Sequence, residues 1–364
     1  MARSQSQGQR GLRVAVAALA YRDYRRFAAS LLLTSLGVQL LQTAVFWQVY
    51  ELTGDALLLG LTGLARALPH MALSMVGGVF ADRFNRVRMI QAGQAANGVL
   101  ILVLAALGGI VVGWFDLGTT YLLNGAIYLA AMVVIVGIRT SATPAITHAS
   151  PWVSFLEGLA FVRQRRVIVS LLMLDLSATV LGSYRALLPI IASSLGVGAT
   201  GFGLLSAAPG VGSMIAATAM LSLGDVRHKG MYTAGGVLAY AASLVLLAVS
   251  SWFALSLVAS ALLGATNVIQ MIPRNSAILA ISPDALRGRV EAFRSMLAGG
   301  GPPLGFMLSG AVAAALGAPL ALALGAIACA VAVGGIVAQD RELRDPSLGT
   351  TPESSEDAEE TGSG

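Results

Sequence analysis

Apolar residues run through this chain in long blocks, broken by short polar stretches. A helix needs about 20 apolar residues to cross the hydrocarbon core of a bilayer. Ten blocks qualify: Phe27–Tyr50, Leu57–Phe80, Met89–Gly113, Thr119–Ile138, Val167–Ala192, Gly201–Leu223, Met231–Ser250, Trp252–Ile272, Ser295–Leu316 and Pro319–Val337. Glycine and proline recur inside them, which membrane helices tolerate better than soluble ones. The pattern predicts an all-α integral membrane fold of about ten transmembrane helices, four before a longer polar connection and six after it.

The polar breaks alternate in charge. With Arg22, Arg25 and Arg26 placed in the cytoplasm, the inner breaks receive "DRFNRVR", Arg139 with "RQRR", "DVRHK", the segment Arg274–Arg294, and Arg341 with Arg344. The outer breaks, "ELTGDA", "WFDL", "SSLGVGAT", "SS" and "GA", carry no Lys or Arg. Of 23 basic residues, all but Arg66 and Arg185 fall inside, as positive-inside sorting requires. The expectation is a multi-pass protein of the cell membrane with both termini cytoplasmic. Residues 1–26 form the cytoplasmic N-terminal segment, 27–138 a four-span bundle, 139–166 a cytoplasmic linker, 167–337 a six-span bundle, and 338–364 an acidic disordered tail. A signal peptide over "VAVAALA" is the weaker reading, because cleavage would leave "YRDYRR" outside.

Composition agrees. The chain has 364 residues, 56% of them hydrophobic and 11% charged, where soluble domains carry about a quarter charged residues. Its net charge of +5 is spread in short groups without a basic domain or aromatic platform, which argues against nucleic acid as a partner. The single Cys329 is embedded in apolar sequence and reads as packing. No metal-ligand motif or phosphate loop is present, so no metal or cofactor is expected, and no nucleophile–base set suggests an enzyme. "GVGATG" (Gly196–Gly201) imitates a dinucleotide fingerprint, but it lies between apolar helices with no strand before it.

The stretch Gly78-Val-Phe-Ala-Asp82-Arg83-Phe-Asn85-Arg86-Val-Arg88 resembles the Gly-x-Leu-Ala-Asp-Arg-x-Gly-Arg-x-Arg signature between the second and third helices of major facilitator superfamily transporters. Asn85 stands where glycine is usual, and asparagine also tolerates left-handed backbone. "GDVRHKG" (Gly224–Gly230) is a weaker echo in the second half, as a duplicated fold predicts. "PDALRGRVEAF" (Pro283–Phe293) is similar to a loop of the branch that includes enterobactin exporters and drug-efflux proteins. Members of this superfamily have two bundles of six helices. Here the third helix runs into a sequence that resembles the end of the fifth, "LGGIVVGW" (Leu107–Trp114), so the fourth and most of the fifth are missing. Third and fifth helices cross in the same direction, so the charge sorting survives.

The resemblance implies a cytoplasmic gate of Gly78, Asp82, Arg83 and Arg86, with Arg287 and Arg289 as the pseudo-symmetric pair. In it, Asp82 engages a helix N-terminus of the other bundle. The plainer alternative is a basic loop that only sets topology. Asp175, Arg185, Arg66 and His70 are the strongly polar residues read well inside spans. An ionised carboxylate at the depth of Asp175 costs at least roughly 2.5–3.5 kcal/mol, so it must be protonated, paired or wet. Asp175 is therefore a candidate for proton coupling, with Arg66, Arg185 and His70 as transport candidates or structural hydrogen-bonders. Gln39, Gln42, Asn97, Asn267 and Gln270 either line a cavity or bond between helices. Gly301, Pro302 and Gly305 are hinge candidates, with close packing as the other reading. The resemblance implies a proton-coupled secondary transporter that exports an amphipathic drug or siderophore by alternating access; the sequence leaves the oligomeric state open, with a monomer in the bilayer as the expectation. The alternative is a transport-inactive truncated relative acting as a membrane-embedded partner or a decaying fragment.

Overall fold

The computed structural model describes residues 21–65, 125–127, 129–130, 133, 151–223, 226, 228–345 and 348, and all of its regular structure there is helical. Among these residues, seven helices are long and apolar enough to cross a membrane. Two compact units are present. The first contains described residues 50–65 and 151–348; the second contains 21–49 and the described positions between 125 and 133.

In the second unit, Arg22–Thr53 begins as helix α1, whose last turn belongs to the first unit. The first unit continues with α2 (Ala56–Ala65), α3 (Pro151–Gln164) and α4 (Arg166–Leu176). After α4 come a π-helical segment, Ser177–Leu181, a 3-10 turn, Arg185–Leu187, and the short α5 (Leu188–Ser194). Helices α6 (Gly198–Leu223), α7 (Lys229–Ala248), α8 (Phe253–Ile281), α9 (Asp284–Leu316) and α10 (Ala318–Gln339) complete it.

Apolar side chains point both ways. Leu171, Leu174, Leu205, Leu244 and Leu263 are fully buried, yet Met214 is 73% exposed, Ile215 67% and Val331 69%. An outer face as apolar as the core is what lipid as solvent produces. With no hydrophobic drive between helices in lipid, close approach must come from small residues. Gly212 on α6 faces the Ala261 backbone of α8, and Gly264 on α8 faces Pro209 of α6, with no room for a Cβ at either. The Ser213 hydroxyl seals that crossing by donating to the Gly264 carbonyl at 3.1 Å. Gly60 of α2 packs the same way on α9, where a Cβ would fall 2.6 Å from the Phe306 carbonyl.

Three expectations change. The stretch Arg274–Arg294, read as an inner loop, is almost wholly helical: α8 continues through Pro273 to Ile281, and α9 begins at Asp284. The span Val167–Ala192 is not one helix but α4, a π segment, a break and α5. Past Val337, helix α10 runs to Gln339 and the 3-10 turn Glu342–Arg344 buries Leu343. Arg344 holds that turn by donating to the Val337 carbonyl at 3.0 Å.

Candidate functional site

The break after α4 has a clear physical account. Gly182 closes the π segment with its N–H on the Ser177 carbonyl at 3.1 Å, and its own carbonyl accepts the Tyr240 hydroxyl of α7 at 2.9 Å. A Cβ at Gly182 would lie 2.7 Å from the Tyr240 ring, so only glycine lets α7 approach this closely. Irregular backbone at membrane depth survives where protein covers it. Here the cover also includes α9, whose Gly301 lies against the Thr179 hydroxyl and whose Gly305 lies against Ser183. Gly305 and Gly301 thus serve as contact points on a continuous α9 that keeps both Pro302 and Pro303 inside it.

Asp175 sits in the last turn of α4, and its carbonyl accepts the Thr179 hydroxyl at 2.9 Å. Its carboxylate pairs with Arg274 of α8, which is 3% exposed. Both bonds of that guanidinium leave from Nη1, one to Asp175 Oδ1 and one to Gln270 Oε1 at 3.0 Å. Gln270, fully buried, donates in turn to Asn267 Oδ1 at 3.1 Å. Residues 267, 270 and 274 are spaced three and four apart, so one face of α8 carries the whole chain of bonds. The Arg274 Nε is buried without a partner. A second pair lies on α9, where Arg294 Nε donates to Glu291 Oε2 at 2.8 Å and Nη2 reaches Oε1. Arg294 is within electrostatic reach of both Asp175 and Arg274.

The partner of Asp175 is thus Arg274, which lies in helix α8 and not in an inner loop. The apolar "AILAI" after Pro273 (Ala277–Ile281) is the sign in the sequence that this helix continues past its proline. Arg185 starts the 3-10 turn, half-buried. Arg287 is exposed and donates from Nε to the Leu279 carbonyl at 3.2 Å, while Arg289 backs onto Gly158 of α3. Arg66, His70, Gly78, Asp82, Arg83 and Arg86 lie outside the described residues.

The sequence profile of the transmembrane secretion effector family matches residues 103–354. The chain belongs to that family. It is accordingly a membrane transporter of the major facilitator type, embedded in a bilayer with a small molecule as its substrate. No curated protein sequence matches the chain. The crystal structure of the human organic anion transporter MFSD10 (TETRAN) is similar over 91% of this chain and 89% of that one, with 13% identity and a TM-score of 0.43.

Proposed function

We propose that this secretion effector is a proton-coupled exporter of an amphipathic small molecule, such as a drug or siderophore, working by alternating access between two helical bundles. The observation that carries the reading is the Asp175 carboxylate, held in a lipid-spanning helix against Arg274. A carboxylate kept at such depth at a cost of several kcal/mol is a functional group by default. Asp175 takes a proton arriving from outside and gives it up inside. The gate of Gly78, Asp82, Arg83 and Arg86, with Arg287 and Arg289, closes the cytoplasmic side between turnovers, and both termini are cytoplasmic. In proteoliposomes loaded with a pH-sensitive dye, addition of an amphipathic fluorescent drug should move protons in the wild type and not in Asp175→Asn. Equal proton movement in both would overturn the coupling role.

A second reading is a transport-inactive shortened relative. It is favoured by the family match beginning only at residue 103, within the apolar block Met89–Gly113 whose sequence resembles a third helix joined to the end of a fifth. Binding of the same drug without any counterflow would select it.

A further inference from the structure

One end of the first unit gathers arginine. Helices α4, α7 and α9 begin at this end, and α8 and α10 finish there. Arg287 at the start of α9 donates to the Leu279 carbonyl near the end of α8, and the Leu343 backbone, just past α10, lies against Gly230 in the first turn of α7. Arg163 is in the last turn of α3, Arg165 is the N-cap of α4 and Arg166 is its first residue; all three are exposed. Helix α4 has no acid in its first turn, and Arg165 supplies no side-chain cap. The positive end of a helix dipole favours acids, and here it carries arginines instead. Exposed Arg287 belongs to the same face, because the backbone of nearby Arg289 lies against Gly158 of α3. Arg163 follows Gly158 by about 7.5 Å along that helix. Like charges this close repel one another, and an anion seated among them relieves the repulsion.

The chain itself brings negative charge to this spot. After α10, the 3-10 turn Glu342–Arg344 packs on both α4 and α7, with Leu343 fully buried. Asp340 Oδ1 accepts the Glu342 N–H at 3.0 Å, and Arg344 donates to the Val337 carbonyl, so the turn is bonded at both ends. The Leu348 N–H then reaches the Asp345 carbonyl at 3.3 Å. The chain thus leaves this turn beside the helix that starts with Arg166. Residues 349–364 lie outside the described part, and their sequence is "GTTPESSEDAEETGSG". Glu353, Glu356, Asp357, Glu359 and Glu360 make it strongly negative, with no Lys or Arg among them. Blocks of like charge of this kind serve as interaction segments. An extended chain from Leu348 covers up to about 17 Å by Glu353 and about 40 Å by Glu360. Tethering also makes the encounter intramolecular, at a roughly millimolar effective concentration. Anionic lipid headgroups are the rival occupant of the arginines. The acidic segment is favoured because the fold itself holds it within reach.

We propose that the acidic segment 353–360 docks on the cluster of Arg163, Arg165, Arg166 and Arg287, as a strap from the end of α10 to the junction of α3 with α4. Charge alone holds it, so salt loosens it. Docked, it restrains the α3–α4 junction; released, it frees the arginines for other anions. The strap does not rest on Asp175 or on proton coupling.

Distances between two spin labels test it in the full chain, in nanodiscs of phosphatidylcholine. The labels go on Ser355→Cys and Gln164→Cys, while Cys329, fully buried, stays unlabelled. At low salt the pair should show a distinct short-distance population. Changing Glu353, Glu356, Glu359 and Glu360 to Gln and Asp357 to Asn leaves the membrane helices untouched and should reduce that population severalfold. Salt at about 1 M, where the screening length is ~3 Å, should do the same. So should the triple change Arg163→Gln, Arg165→Gln and Arg166→Gln. A distribution unchanged by neutralising the acids overturns the proposal, even where the arginine variant fails to fold. A short population that survives loss of the arginines in a folded protein overturns the docking site. A tail indifferent to its own acids, with the Gln164→Cys label immobilised only when phosphatidylglycerol is added, assigns the cluster to lipid headgroups and overturns the strap.

Discussion

Two acid–arginine pairs lie close together in the first unit and teach opposite lessons. Asp175–Arg274 joins two helices with side chains 12% and 4% exposed, whereas Glu291–Arg294 joins two positions of a single helix with side chains 46% and 22% exposed. Chemistry is the same; surroundings and connectivity differ. Water screens the Glu291 pair, and its i,i+3 spacing ties α9 only to itself, so its loss costs little. The Asp175 pair is screened by almost nothing, and it replaces the solvation that both ions gave up. Removing one partner there strands the other. A pair of this kind adds little net stability over an apolar substitute and much specificity, since it fixes the rotational setting of α4 against α8.

The comparison can be broken by mutation. The largest effect is expected from Asp175→Asn or Arg274→Gln alone, each destabilising the folded protein by about 3–5 kcal/mol, with the double variant recovering most of the loss. Unfolding titrations in mixed micelles read all three. Additive losses would mean that the two residues do not depend on one another. Next comes Tyr240→Phe, which leaves the Gly182 carbonyl without its donor and should cost about 1–3 kcal/mol by the same assay. Glu291→Gln should cost no more than about 1 kcal/mol, so a loss matching that of Asp175→Asn would erase the contrast. The smallest effect is on salt dependence. Raising ionic strength should shrink the Glu291→Gln effect and leave the Asp175→Asn effect unchanged, because only exposed pairs are screened.

Much of this arrangement was readable from residue order. Block length predicts the membrane-spanning helices, and the cost of a carboxylate at depth leaves Asp175 three ways out: a proton, a partner or water. The partner itself is not legible there, since the apolar block ends at Ile272 and a proline follows it. In water a proline commonly stops a helix by removing a backbone donor and clashing with the preceding turn. Packed against α6 and α7, helix α8 absorbs it, which carried Arg274 from a loop into a buried wall. The break after Leu176 was equally hidden. "SATVL" contains no glycine or proline, and the decisive contact, Tyr240 on Gly182, spans 58 positions that local sequence cannot connect. Gly301 and Gly305 stand out by composition as bend or contact, and only their neighbours in and after the π segment, Thr179 and Ser183, reveal what they touch.

The π segment also resets the compass of its helix. One surplus residue in a turn swings everything downstream by roughly 100° about the axis, since an α-helix advances 3.6 residues per revolution. A helical wheel drawn from Arg166 onward therefore names the wrong lipid-facing positions beyond Ser177. Cysteine-scanning labels along Arg185–Ser194 will fall on a face of their own, out of phase with those along Arg166–Leu176.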